Sequence, residues 1–167
     1  MPTYGPSAPG SGFNSVSGGN AWTTPGNILV NDSSYAVVTL IDFGCFLANT
    51  KIYYTDGSFR AIQNIQIGDI ISDAYGNDVE VLDLHKMTVQ EYMIVGATCG
   101  FVEVTDYHPF LMEDGTFKRI GDVRVGEYVC DHKILSKTRI AKEVDVYNLS
   151  VSGSETYIAN KFKVHNK

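Results

Sequence analysis

The sequence predicts an all-β chain with a duplicated core, preceded by a flexible and partly β N-terminal segment. Three observations carry this. Past residue 44, β-branched and aromatic runs are short and turn signals recur. No segment keeps a helical period over three turns. Asp56–Ile71 (DGSFRAIQNIQIGDII) returns without a gap as Asp114–Val129 (DGTFKRIGDVRVGEYV), 58 residues later, with Asp, Gly, Phe, Ile and the second Gly identical in register.

The composition breaks near residue 44. Residues 1–44 contain no Lys, Arg, His or Glu, and hold four of the five prolines and seven of the 16 glycines. Residues 1–20 read as flexible, because too few side chains there can be buried to offset ordering entropy. Residues 21–43 hold Trp22, Ile28, Leu29, Val30, Tyr35, Val37, Val38, Leu40, Ile41 and Phe43, and predict two strands about an Asn31–Ser34 turn. Beyond them, Asp56-Gly57 and Asp114-Gly115 are hairpin signals, since such turns need positive φ. Gly76-Asn77 marks another turn, and Gly153 separates VYNLSV from TYIANKFKV. The repeat is expected to be a duplicated β subdomain with pseudo-twofold symmetry, which could set active groups at a shared centre.

Bulk properties narrow the function classes. A formal net charge of -6 with no basic block argues against general nucleic-acid binding, which needs a cationic surface. No apolar run approaches the roughly 20 residues that span a membrane. No charged n-region leads an apolar stretch, so no signal peptide is expected, and the cytoplasm or a virion is the expected location. The three cysteines, Cys45, Cys99 and Cys130, form neither a disulfide framework nor a CxxC pair. At least one thiol should be free. No metal or other cofactor is expected, because ligand spacing and a glycine-rich loop are both lacking.

Three chemical features stand far apart: Gly44-Cys45-Phe46-Leu47-Ala48-Asn49-Thr50 at the composition break, Thr105-Asp106-Tyr107-His108, and Val164-His165-Asn166-Lys167. A cysteine thiol can attack the carbonyl just before it, moving the acyl group from nitrogen to sulfur and forming a thioester. Amide resonance opposes this, as does a free-thiol pKa of about 8.5. A histidine of pKa about 6.5 is a suitable proton donor to the leaving nitrogen. The Asn166 side chain can in turn attack its own carbonyl, form a succinimide and cut the bond to Lys167.

On these residues the chain resembles the Hint (hedgehog/intein) family, especially bacterial intein-like domains. CFLANTKIYYTDGSFRAIQNIQIGD is similar to the family's opening block, TDYH to its Thr-x-x-His block, and VYNLSVSGSETYIANKFKVHN to the closing block that ends in His-Asn. The resemblance covers residues 45–166 and implies the family's compact, horseshoe-shaped β fold. It divides the chain into a flanking segment (1–44), an autoprocessing domain (45–166) and a residual flank at 167. It implies Cys45 as nucleophile at the Gly44–Cys45 bond, His108 as proton donor, Thr105 as holder of the scissile amide, and His165 as helper to Asn166. On this reading His108 should reach the Cys45 amide nitrogen at hydrogen-bond distance. Gly44 suits its place because it adds no side chain to hinder attack.

Two departures shape the expected outcome. Splicing needs Cys, Ser or Thr after the terminal Asn, and Lys167 stands there. The closing block often carries Asp where this chain has Asn148, and His where it has Glu155 or Thr156. Both changes are expected to weaken the C-terminal reaction. What is left is a single-turnover N-terminal autocleavage or acyl transfer. The chain's own N-terminal segment is the substrate, and water, a thiol or an amine is the acceptor. The competing class is structural. Residues 20–43 loosely resemble the opening β segment of phage tail or other virion proteins, which would make the domain a non-catalytic part of an assembly with other virion proteins. Cys99 and Cys130 are expected in core or strand positions, Asp106 and Asp131 in solvent, and His85 and His132 on the surface.

Overall fold

The computed structural model describes residues 44–166, so the strands expected within 21–43 lie outside the described residues. The described chain is all-β. Its strands are β1 (Phe46–Leu47), β2 (Lys51–Tyr53), β3 (Phe59–Ala61), β4 (Ile70–Ser72), β5 (Asp78–Val89), β6 (Tyr92–Ala97), β7 (Gly100–Val104), β8 (Pro109–Leu111), β9 (Phe117–Arg119), β10 (Tyr128–Val129), β11 (His132–Ile140), β12 (Val144–Val151), β13 (Thr156–Ala159) and β14 (Phe162–His165). The only helical turns among the described residues are single 3₁₀ turns at Ile62–Asn64 and Ile120–Asp122.

The sequence repeat is a structural repeat. Strands β2, β3 and β4 correspond to β8, β9 and β10, and each 3₁₀ turn follows the same hairpin. Gly57 and Gly115 both have φ of 89°, as Asp-Gly turns require. The Asp56 and Asp114 carboxylates accept from the backbone N–H and the hydroxyl of Ser58 and Thr116 respectively. The Arg60–Asp69 ion pair returns as Lys118–Glu127. The loop from β4 to β5 is longer than its counterpart from β10 to β11, so the exact repeat ends there.

The two units are not side by side. Strand β12 pairs with β5, and β11 pairs with β6, so each unit's long strand pairs with one contributed by the other. The result is one antiparallel ribbon, residues 81–97 against 134–151, with Val89 opposite Val144 and Tyr92 opposite Ile140. Strands β1 and β7 complete the middle of this eight-stranded sheet, in the order β10-β11-β6-β7-β1-β12-β5-β4. A six-stranded sheet, β3-β2-β13-β14-β8-β9, holds the hairpins and the C-terminal strands. The main core joins residues of both sheets, including Phe46, Ile62, Ile120, Phe110, Leu149, Tyr157 and Phe162.

Strand alternation places the surroundings of Cys45. Phe46 enters the main core, while Cys45 and Leu47 join a smaller cluster with Met87, Tyr92 and Val146. Some placements differ from those the sequence suggested. Cys99 and Cys130 sit half-buried in turns, and Cys130 has φ of 54°. His85 is half-buried against the Ser150 hydroxyl at 2.7 Å, and burial lowers its pKa despite Asp83. His132 is also half-buried, lying edge-on to Phe162 and 3.4 Å from Asp131. Asp131 itself is exposed. Asp106 is not merely solvated: Arg139 grips both of its oxygens, at 2.8 and 3.1 Å.

Candidate functional site

The three sequence features meet at the centre of the fold. Strand β1 runs antiparallel to both β7 and β12, which carries Cys45 alongside the turn holding Thr105 and His108. Strand β14 pairs with β8, which begins immediately after His108, and this brings His165 and Asn166 to the same end. Cys45 and His108 are completely buried, and Thr105 nearly so.

Thr105 brackets the Cys45 peptide unit. The Cys45 N–H donates to its Oγ1 at 2.8 Å, and the Thr105 N–H donates to the Cys45 carbonyl at 2.9 Å. The Thr105 hydroxyl also reaches that carbonyl at 3.3 Å. This corrects the expected contact from His108. The amide proton of the Gly44–Cys45 bond goes to threonine, and neither ring nitrogen of His108 makes a hydrogen bond of good geometry.

His108 is nevertheless the packing centre of the site. Its ring lies 4.3 Å from that of Phe46, and within aromatic range of Phe110 and Tyr157. Burial pushes its pKa down to about 3, outweighing the backbone of His165 and of Gly44, which lie close enough to favour the charged ring. The histidine therefore stands neutral between the two junctions. Gly44 fits against it so closely that a Cβ would overlap the His108 Cα and lie 2.7 Å from its backbone nitrogen. Glycine is needed there for packing as well as for access. The Cys45 thiol is also held neutral, because burial drives its pKa far up.

The loop that carries Thr105 and His108 is tied down on several sides. Asp106 is clamped by Arg139, its carbonyl accepts from the Gly121 N–H at 2.8 Å, and the His108 carbonyl accepts from the Ile120 N–H at 2.9 Å. Lys137 caps the adjoining 3₁₀ turn, donating to the carbonyls of Ile120, Gly121 and Val123 at 3.0, 3.1 and 2.6 Å. Arg119 lies over the Tyr107 ring at 4.8 Å.

At the C-terminal junction, the Asn166 N–H donates to the Glu155 carbonyl at 2.8 Å, and its side-chain amide to the Val151 carbonyl at 3.4 Å. His165 lies 3.7 Å from the Glu155 carboxylate. Asn148, flagged in the sequence only as a departure, is fully buried and donates to the Asn166 carbonyl at 2.9 Å. Tyr157 was not singled out at all. It is fully buried, its hydroxyl donates to Asn148 Oδ1 at 2.6 Å, and burial raises its pKa. Its aromatic position in TYIA reads in sequence as ordinary core. No cluster of His, Cys, Asp and Glu among the described residues has the makings of a metal site.

The fold is the Hint/intein-type β fold, and solved structures of inteins and intein-like domains share it. A bacterial intein-like domain from Clostridium thermocellum superposes with a TM-score of 0.66 at 26% identity, covering 73% of this chain and 98% of its own. The gp41-1 intein gives 0.64 at 25% identity, over 74% of this chain and 98% of that one. A DnaB intein from Synechocystis shares the fold at 20% identity, with a TM-score of 0.61 over 74% and 99%. No family model and no curated protein matches the chain. The neighbours support a self-processing domain in general. No helix among the described residues is long and apolar enough to cross a membrane.

Proposed function

We propose that the chain breaks its own Gly44–Cys45 bond by an N-to-S acyl shift and passes the upstream segment to water, a thiol or an amine. The observation that carries this is the bracketing of the Cys45 amide by Thr105, with Gly44 seated against His108. The Cys45 sulfur attacks the Gly44 carbonyl carbon, closing a small ring. The C–N bond then breaks, leaving a thioester and a free Cys45 amine. The thiol proton ends on that amine. His108, seated beside Gly44, is assigned the relay of that proton to the departing nitrogen, and because burial lowers its pKa while raising the thiol's, the transfer requires the resting site to rearrange first. An incoming nucleophile finally takes the acyl group and restores the thiol.

Thr105 holds the amide plane and keeps accepting from the nitrogen as it becomes an amine. In the resting arrangement Cys45 shares a buried cluster with Met87, Tyr92 and Val146, so the reaction starts away from water. Asn166 cyclisation is a second self-cleavage at the other junction, favoured by the donor on its carbonyl. Lys167 offers no hydroxyl or thiol to carry the acyl group onward, so the two cuts are separate rather than joined in splicing.

The test is intact-mass analysis of the purified chain incubated with excess thiol. A fragment ending at Gly44 should accumulate as a thioester of the added thiol, and Cys45→Ala should release none. Equal behaviour of parent and variant overturns the reading.

A further inference from the structure

We infer that Asn148 is a catalytic residue of the C-terminal cut, acting as the hydrogen-bond donor that receives charge on the Asn166 carbonyl. The inference rests on the reading that Asn166 cyclises, and it reverses the expectation that Asn148 weakens that step.

The orientation of the Asn148 amide follows from donor–acceptor chemistry. The Leu149 N–H can only donate, and it lies 2.8 Å from Oδ1. The Tyr157 hydroxyl meets the same oxygen at 2.6 Å. Oδ1 is therefore the acceptor end, and Nδ2 is the end that faces the Asn166 carbonyl at 2.9 Å. Asn148 has no exposed surface, so this donor works where water screens little.

The reaction places charge on that same oxygen. The Asn166 Nδ2 attacks its own backbone carbonyl carbon, and the carbonyl oxygen carries negative charge in the tetrahedral intermediate. The C–N bond to Lys167 then breaks. One proton from Nδ2 ends on the departing Lys167 amine, and the ring is left as a succinimide. A donor already aimed at the oxygen needs no reorganisation when the charge develops, and removing one such donor typically slows a reaction by about 10²–10³-fold. An ionised aspartate could not serve here, because it only accepts. Tyr157 is a positioning residue: it holds Oδ1 and so keeps Nδ2 on target.

The experiment uses the full chain, following loss of Lys167 and release at Gly44 in the same samples by intact mass. Asn148→Asp preserves shape and the contacts to Leu149 and Tyr157 but removes the donor. At neutral pH it should slow loss of Lys167 by at least about tenfold while thiol-induced release at Gly44 stays within about twofold. Toward acid pH, where a buried carboxyl regains its proton and can donate, the variant should recover rate while the parent does not. Tyr157→Phe, which keeps the ring, should slow the C-terminal cut by a smaller factor and leave release at Gly44 running. Parent-like loss of Lys167 in Asn148→Asp overturns the inference. If the parent itself never loses Lys167 while still releasing at Gly44, both the inference and the cyclisation reading fall, and the N-terminal reading stands.

Discussion

Thr105, Gly44 and His108 surround the Gly44–Cys45 amide, and the part proposed for each can be tested by one side chain. Thr105→Val keeps the volume but strands the buried Cys45 N–H, costing about 1–3 kcal/mol. If the amide must be held for reaction, thiol-induced release should slow by more than the loss of stability explains, as read from rates beside denaturant midpoints. Gly44→Ala forces a methyl into the His108 backbone, so the loop must move, at about 1–3 kcal/mol. Release at the junction should fall with it. His108 makes the site acid-sensitive. Its folded pKa of about 3 lies below an ordinary histidine's 6.5, so the unfolded chain binds the proton first. Its contribution is therefore intact above pH 6.5 and is lost as pH falls from there toward 3, at up to about 1.4 kcal/mol per pH unit. NMR titration should find its ring still neutral at pH 5, and His108→Phe should flatten that part of the stability profile.

At the scale of elements, the site depends on two short segments that side chains rather than strand pairing hold in place. One is the 3₁₀ turn at Ile120–Asp122, whose carbonyls end on Lys137. Lys137→Met keeps the apolar stem and removes the caps. It should cost about 1–3 kcal/mol and loosen the neighbouring Asp106 turn, seen as faster amide exchange at Gly121. The other is the turn before β13. Asp73 is almost wholly buried, and although burial raises its pKa, the N–H groups of Asn77 and Tyr75 and the Ser154 hydroxyl bring it below the usual carboxylate range. Ser154 and Thr156 then flank Glu155, whose carbonyl receives the Asn166 N–H. Asp73→Ala should disturb the C-terminal junction more than the N-terminal one, which comparison of the two cleavage rates would reveal.

For the whole molecule, the exchange of long strands between units is the main consequence of the duplication. Strand β6 finds its partner in β11, and β12 in β5, so neither half contains its own ribbon. Residues 44–103 and 104–166 prepared separately should therefore lack dispersed amide spectra, and mixing them should restore the folded spectrum. The same exchange brings a residue after β7 and one after β14 to the start of β1. A Phe46→Ala change at that meeting point should cost about 3–5 kcal/mol, because the ring touches the packing of both sheets.

Much of this was legible in one dimension because the relevant signals are local. Short β-branched and aromatic runs, Asp-Gly turns and the Asp56–Ile71 repeat are written over a few residues each, and they determined the all-β class, the hairpins and the pseudo-twofold duplication. The candidate site residues Cys45, Thr105, His108, His165 and Asn166 came from the chemistry of short motifs together with the resemblance of their blocks to the Hint family. Tertiary structure decided what each of them touches. That the Cys45 N–H faces Thr105 rather than His108 depends on the pairing of β1 with β7, across 60 residues of chain. That Gly44 is a packing requirement depends on the same approach. Asn148 looked like a loss in sequence, because a residue's type shows its hydrogen-bonding capacity but not its partner. Only the fold, by placing two acceptor contacts on its oxygen, turned its nitrogen toward the Asn166 carbonyl.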